Sequence, residues 1–147
     1  MVFITSFPSF YLILPNKYII MKNILVTGGL GYIGSHTVVA LQKAGFHVSI
    51  IDDLSNTTEA VLQKIETITG VLPEFHQIDL KEDTKVQQFF NQNKVDGIIH
   101  FAAYKAVGES VEKPLMYYRN NILGLINVLD AMDAYAVDHF IFSSSCT

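Results

Sequence analysis

Between the apolar run 23–27 and a helical-looking stretch, "TGGLGYIGSHT" places glycines at 28, 29, 31 and 34, four in seven positions. The loop satisfies both G-x-x-G-x-x-G and G-x-G-x-x-G. Glycine permits a positive φ in a tight turn, lets backbone approach a bound group, and lets a helix pack closely on the preceding strand. The rest of the chain supplies the context such a loop requires. Short runs of branched and aromatic residues recur at "NILVT" (23–27), "HVSII" (47–51), "EFHQI" (74–78), "GIIHF" (97–101) and "HFIFS" (139–143). They predict strands, several of them buried on both faces. Helical segments fall between them. Ile33, Thr37, Leu41 and Ala44 repeat at helical spacing, with Gly45 as the stop; 57–69 carries Val61, Leu62, Ile65 and Ile68 on one face. Residues 83–91 offer Val86, Phe89 and Phe90, and Pro114 opens a long helix through Ala134. This alternation predicts an α/β, Rossmann-type open sheet, mostly parallel, with helices on both faces and about five strands, an incomplete set.

In such a junction the free N–H groups and positive dipole end of the helix face a diphosphate. The second half of the fingerprint is an acid about twenty residues on, at the end of strand two. "IIDDL" supplies Asp52 and Asp53. A carboxylate there bonds the adenosine ribose hydroxyls and repels a 2′-phosphate, which favours NAD over NADP. The competing reading is a simple turn at the two aspartates, with Asn56 or Thr57 capping the next helix.

Composition narrows the alternatives. A net charge of −4 without a Lys/Arg cluster gives no electrostatic case for binding nucleic acid. The single cysteine, Cys146, excludes an intrachain disulfide and fits a reducing, cytoplasmic setting. The histidines, at 36, 47, 76, 100 and 139, lack metal-ligand spacing, so no metal is expected. Residues 1–20 are apolar, but Thr5, Ser6, Pro8, Ser9 and Pro15 interrupt them well short of a membrane span. They have neither the basic start nor the small-residue cleavage site of a secretory signal. "MKNILVTGG" from Met21 reads as the beginning of a strand-first domain. Residues 1–20 are therefore expected to be an extension outside the fold, and 21–147 an NAD-binding domain. The rival reading of 1–20, a peripheral membrane anchor, lacks the basic face it would need.

The stretch "HFAAYKAVGESVEKPLMYYRNNILGLINVLDAM", together with "TGGLGYIGSHT", "IDDLSN" and "FIFSSSCT", resembles the UDP-glucose 4-epimerases of the extended short-chain dehydrogenase/reductase superfamily. The match runs from about Met21 to Thr147. The resemblance implies NAD as cofactor and a UDP-sugar as substrate, with UDP-glucose and UDP-galactose interconverted through a 4-keto intermediate. It implies that Gly28, Gly31, Tyr32, Ile33 and Gly34 line the NAD diphosphate. Asp52, Asp53, Asn56 and Thr57 would contact the adenosine ribose and a nearby phosphate, although many members carry Asn where this chain has Asp53. Asp79 and Leu80 match the adenine-edge contact. Phe101, Ala102, Ala103 and Lys105 match the segment bordering the ribose and diphosphate, and Asn120 a cofactor-side asparagine. Ser143 and Ser145 match serines beside the nicotinamide and sugar, Ser145 as the hydrogen-bond partner of the reacting hydroxyl. Read without the resemblance, Lys105 is a solvated loop lysine, Asn120 a helix residue bonding backbone, and the serines a polar turn. His100 reads as a packed core histidine and Cys146 as a small buried residue.

The family's base is a Tyr-x-x-x-Lys, whose lysine lowers the tyrosine pKa from about 10. The resemblance puts it beyond Thr147, along with the substrate subdomain that does most of the UDP-sugar binding, so the chain is expected to lack the pattern. None of Tyr32, Tyr104, Tyr117, Tyr118 and Tyr135 is followed four residues later by lysine. The expectation is thus the N-terminal NAD-binding part of an epimerase, inactive by itself. Two alternatives stand beside it: another NAD-dependent nucleotide-sugar epimerase or dehydratase, and a non-catalytic NAD-binding module. The resemblance also implies a homodimer of the full-length parent, formed through helices like the one from Pro114.

Overall fold

The computed structural model describes residues 23–143. Five strands, β1 (Asn23–Thr27), β2 (His47–Asp52), β3 (Glu74–Gln77), β4 (Gly97–His100) and β5 (Phe140–Phe142), form one sheet in the order β3-β2-β1-β4-β5. Every pairing is parallel, with Thr27 opposite Ile51 on one side and His100 on the other. Between the strands lie α1 (Tyr32–Lys43), α2 (Ala60–Thr69) and α3 (Asp83–Gln92). After β4 come α4 (Val107–Glu112), α5 (Pro114–Tyr118), a π turn (Arg119–Leu123) and α6 (Gly124–Ala134).

Strand periodicity sends alternate side chains into two apolar layers. Ile24, Val26, Val48 and Ile50 pack with Val38 of α1 and Ile65 of α2. Leu25, Ile51 and Ile98 pack on the other face with Val86, Phe89 and Phe90 of α3 and Val128 and Ala131 of α6. Helices on both faces explain why the central strands read as continuous apolar runs.

The expected strands and helices are present, with instructive differences at their ends. α2 begins at Ala60, three residues later than its sequence pattern, and Ile68 is 56% exposed. α4 was absent from the expectation. Val107 and Val111 are both exposed, so it buries no residue and has no apolar stripe to betray it. The single helix expected from Pro114 to Ala134 holds its course, but the π turn interrupts its α geometry. Among the described residues no helix is long and apolar enough to cross a membrane, and no group of three or more His, Cys, Asp or Glu could hold a metal ion.

The topology places the site. From β1 the chain steps outward through β2 to β3, then returns to the other side of β1 with β4. Loops leaving β1 and β4 therefore diverge, and a crevice opens between them at the carboxyl ends of the strands.

Candidate functional site

A cleft of about 680 Å³ occupies this crevice. Its floor is the glycine loop. Gly28 has φ +66°, and a Cβ there would lie 2.7 Å from the backbone nitrogen of Ala102, so the β1 and β4 loops touch. A Cβ on Gly34 would run into the Gly28 carbonyl oxygen and sit 2.8 Å from Cα of Gly29. The first turn of α1 thus lies directly on the loop. Gly31 is its N-cap and supplies no side chain to bond the first amides, and the first turn holds no acid. Those donors and the helix dipole remain available to an anion.

Asp52, at the end of β2, is buried and already bonded. One carboxylate oxygen accepts the Leu30 N–H at 3.1 Å; the other accepts the Leu54 N–H at 3.0 Å and the Thr57 hydroxyl at 2.8 Å. A carboxylate has roughly four acceptor positions, so about one remains for a group in the cleft. The Thr57 hydroxyl is thereby committed to Asp52 rather than to a helix cap, which fits the late start of α2. Asp53 accepts the Ser55 N–H at 2.9 Å.

The far wall follows β3. Asp79 accepts the Lys81 N–H at 2.9 Å and pairs with its ammonium at 3.2 Å. Leu80 is fixed from α6, where Asn127 Nδ2 donates to its carbonyl at 2.8 Å. The near wall is Phe101, Ala102, Ala103, Tyr104 and Lys105, joined by Tyr117 and Asn120. Lys105 is exposed and has no ion-pair partner among the described residues. Tyr117 donates to the Ala106 carbonyl (3.0 Å) or to Glu109 (3.1 Å); burial, then the Glu109 carboxylate, push its phenol above the ordinary range. That is the wrong direction for a base at neutral pH.

Of the residues singled out in the sequence, Gly28, Gly31, Tyr32, Ile33, Gly34, Asp52, Asp53, Asn56, Thr57, Asp79, Leu80, Phe101, Ala102, Ala103, Lys105 and Asn120 all line this one cleft. Ser143 is not among the lining residues; its N–H continues the ladder to the His100 carbonyl at 3.1 Å. Ser145 and Cys146 lie outside the described residues. The chain does contain one Tyr-x-x-x-Lys spacing, Tyr18 to Lys22, which corrects the expectation that the pattern is missing. It precedes β1, whereas the resemblance puts the motif after β5, and it too lies outside the described residues. Sequence reasoning missed Ile51, Ser55, Ile78, Tyr104, Ala106, Glu109, Met116 and Tyr117 as lining residues. Glu109 sits on α4, which had no signal; Tyr104 stands one residue before Lys105 inside the block that carried the resemblance.

His100 ends β4 below this wall. It is 2% exposed, its Nδ1 is 2.8 Å from Thr27 Oγ1, and its ring stacks on Phe142. Burial lowers its pKa to about 4, partly opposed by a backbone hydrogen bond at Ala102. A histidine depressed from an unfolded value of about 6.5 binds its proton more readily in the unfolded chain. Its stabilising contribution is complete above pH ~6.5 and falls away as the pH drops toward 4. We expect this one residue to remove about 2–3 kcal/mol between pH 7 and pH 4.5. Urea unfolding at the two pH values, compared with His100→Gln, checks it; an equal acid loss in the variant would contradict the assignment.

A parallel sheet with a glycine-walled cleft at its switch point, an uncapped helix facing it and an acid ending β2 define a dinucleotide-binding α/β domain. The comparisons carry this further. The profile of the "NAD dependent epimerase/dehydratase family" matches residues 24–147, and the chain belongs to that family. It is 46% identical over 129 residues to UDP-glucose 4-epimerase 2 of Arabidopsis thaliana, covering 86% of this chain and 37% of that protein. It is 47% identical over 127 residues to a UDP-glucose 4-epimerase of Neisseria meningitidis, with 86% and 38% covered. Among solved structures, a UDP-glucose 4-epimerase of Stenotrophomonas maltophila, with bound NAD and formylated UDP-arabinopyranose, superposes with a TM-score of 0.82 at 44% identity, over 85% of this chain and 37% of that one. One from Bifidobacterium longum, in complex with NAD+ and UDP, gives 0.83 at 38% identity, over the same shares. The chain thus spans little more than a third of the length of the relatives it matches.

Proposed function

We propose that this chain is the NAD-binding part of a UDP-glucose 4-epimerase that interconverts UDP-glucose and UDP-galactose. The observation that carries the reading is the cleft itself, in which an uncapped helix, a side-chain-free floor and one spare acceptor on Asp52 converge. These features fit a dinucleotide. The amides at the start of α1 would hold the diphosphate, Asp52 and its neighbours the adenosine ribose, Asp79 and Leu80 the adenine edge. Lys105 and Asn120 would flank the nicotinamide half. Bound NAD supplies a hydride acceptor and donor for a sugar carbinol. The residues of this chain would bind and orient it, Ser143 would border the cofactor, and Ser145 would meet the sugar. Proton transfer would belong to a tyrosine–lysine pair that the resemblance puts downstream of Ser145; burial and Glu109 push the Tyr117 phenol upward, away from such a role.

The names of the relatives support a UDP-sugar substrate. The exposed stripe Leu115, Tyr118, Ile122 and Ile126 on the helix from Pro114 supports self-association of the parent as a homodimer. The acidic composition and single cysteine suit a cytoplasmic protein. The test uses the protein expressed from its natural gene. It should bind NAD and convert UDP-galactose to UDP-glucose. Turnover of UDP-glucuronate alone would transfer the reading to another nucleotide-sugar epimerase of the family, and NAD binding without turnover of either would leave a cofactor-binding module.

A further inference from the structure

A line of side-chain contacts runs from the loop after β3 to the loop after β4. Lys81, paired with Asp79, donates to Asn120 Oδ1 at 3.0 Å, and Asn120 Nδ2 donates to Asn121 Oδ1 at 3.1 Å. Asn121 then holds Tyr104 from both sides. The Tyr104 N–H donates to Asn121 Oδ1 at 2.8 Å, and Asn121 Nδ2 donates to the Tyr104 carbonyl at 3.1 Å. The β4 strand has ended at His100, and among the described residues no neighbouring strand pairs this backbone. One side-chain amide supplies both bonds that a strand would have made. Asn121 itself is absent from the cleft lining and sits on the π turn, a local widening that often marks functional positions in helices.

We propose that Asn121 is a positioning residue: by clamping Tyr104 it fixes the Ala102–Lys105 wall in the shape that receives the dinucleotide. The proposal rests on the NAD reading above. A loop already held in its binding shape loses less conformational freedom when the ligand arrives, so the clamp acts on affinity. Asn120, whose amide is engaged with Lys81 and Asn121, ties the same wall to the loop after β3.

The experiment measures NAD affinity and amide exchange at Tyr104 in the protein from its natural gene. Wild type should show a protected Tyr104 amide before NAD is added. Asn121→Ala should lose that protection and weaken NAD binding about tenfold, the equivalent of two net hydrogen bonds. Asn121→Asp keeps an oxygen for the Tyr104 N–H but sets its other oxygen against the Tyr104 carbonyl, so it should restore part of the protection and little of the affinity. Asn93→Ala is the control, because it also removes a side-chain bond to backbone, to the Phe89 carbonyl at 2.9 Å, but at the opposite end of the sheet. It should leave NAD affinity unchanged. Wild-type affinity in Asn121→Ala, or an unprotected Tyr104 amide in wild type, overturns the proposal; the second holds even if the alanine variant fails to fold. A wild type with a protected amide but no NAD binding would instead overturn the cofactor reading, and the role given to the clamp with it.

Discussion

Gly34→Ala is expected to weaken NAD binding at least about a hundredfold, a change of about 2.7 kcal/mol. The added methyl would meet the Gly28 carbonyl oxygen and Cα of Gly29, both main chain. No side chain can rotate away, so either α1 lifts off the loop or the loop shifts toward the cleft. Both movements displace the amides that would hold the diphosphate. Gly28→Ala should act in the same direction through a different atom, since its Cβ would press on the Ala102 nitrogen from a backbone at φ +66°. A left-handed conformation costs an L-residue about 1–2 kcal/mol before any clash is counted. Gly108→Ala provides the contrast. It lies in α4 with nothing within 4 Å of the added carbon, and alanine there should be neutral or stabilise the helix by up to about 1 kcal/mol. Titration with NAD and thermal melts of the three variants test the pattern. Near-normal NAD affinity in Gly34→Ala would show that the loop is not where the cofactor sits.

The difference between what was and was not legible in the sequence has a physical basis. β1, β2, β4 and the first three helices declare themselves because they bury apolar side chains, as Leu25 and Val26 do on opposite faces of the sheet. The glycine loop is legible for the opposite reason, since the lack of side chains at Gly28 and Gly34 is what the contact requires. α4 left no trace because it buries nothing, and the π turn because local periodicity is nearly unchanged by one wide turn. Roles made by distant pairing were hidden too. Asn127 reaches Leu80 across 47 residues, and Asn121 reaches Tyr104 across 17. Nothing in either asparagine's neighbourhood names its partner. The resemblance singled out Asn120 as the cofactor-side asparagine and gave Asn121 no role; the fold sets Asn120 on the cleft and Asn121 behind it. Asp52 has two structural tasks: the same carboxylate closes the turn to Leu54 and holds the glycine loop through Leu30.

That double duty makes Asp52 the other sensitive position. Asp52→Ala should destabilise the protein by about 2–4 kcal/mol, because the buried Leu30 N–H loses its partner along with those of Leu54 and Thr57. Asp52→Asn is not a silent replacement. With its oxygen turned toward Leu30, its NH2 faces the Leu54 N–H; turned the other way, its NH2 faces the Leu30 N–H. Either orientation sets donor against donor, so a loss of about 1–3 kcal/mol is expected with almost no change in shape. The coenzyme effect should be separable from this. On the NAD reading the carboxylate repels a 2′-phosphate, so removing it should raise NADP affinity relative to NAD. Asp53 adds a second negative charge beside it, and so Asp52→Asn alone should shift the ratio less than Asp52→Asn with Asp53→Asn. Denaturant unfolding gives the stability term, and NAD and NADP titrations of the folded variants give the ratio. A destabilised variant with an unchanged NAD:NADP ratio would leave Asp52 as a purely structural carboxylate and take the ribose out of its reach.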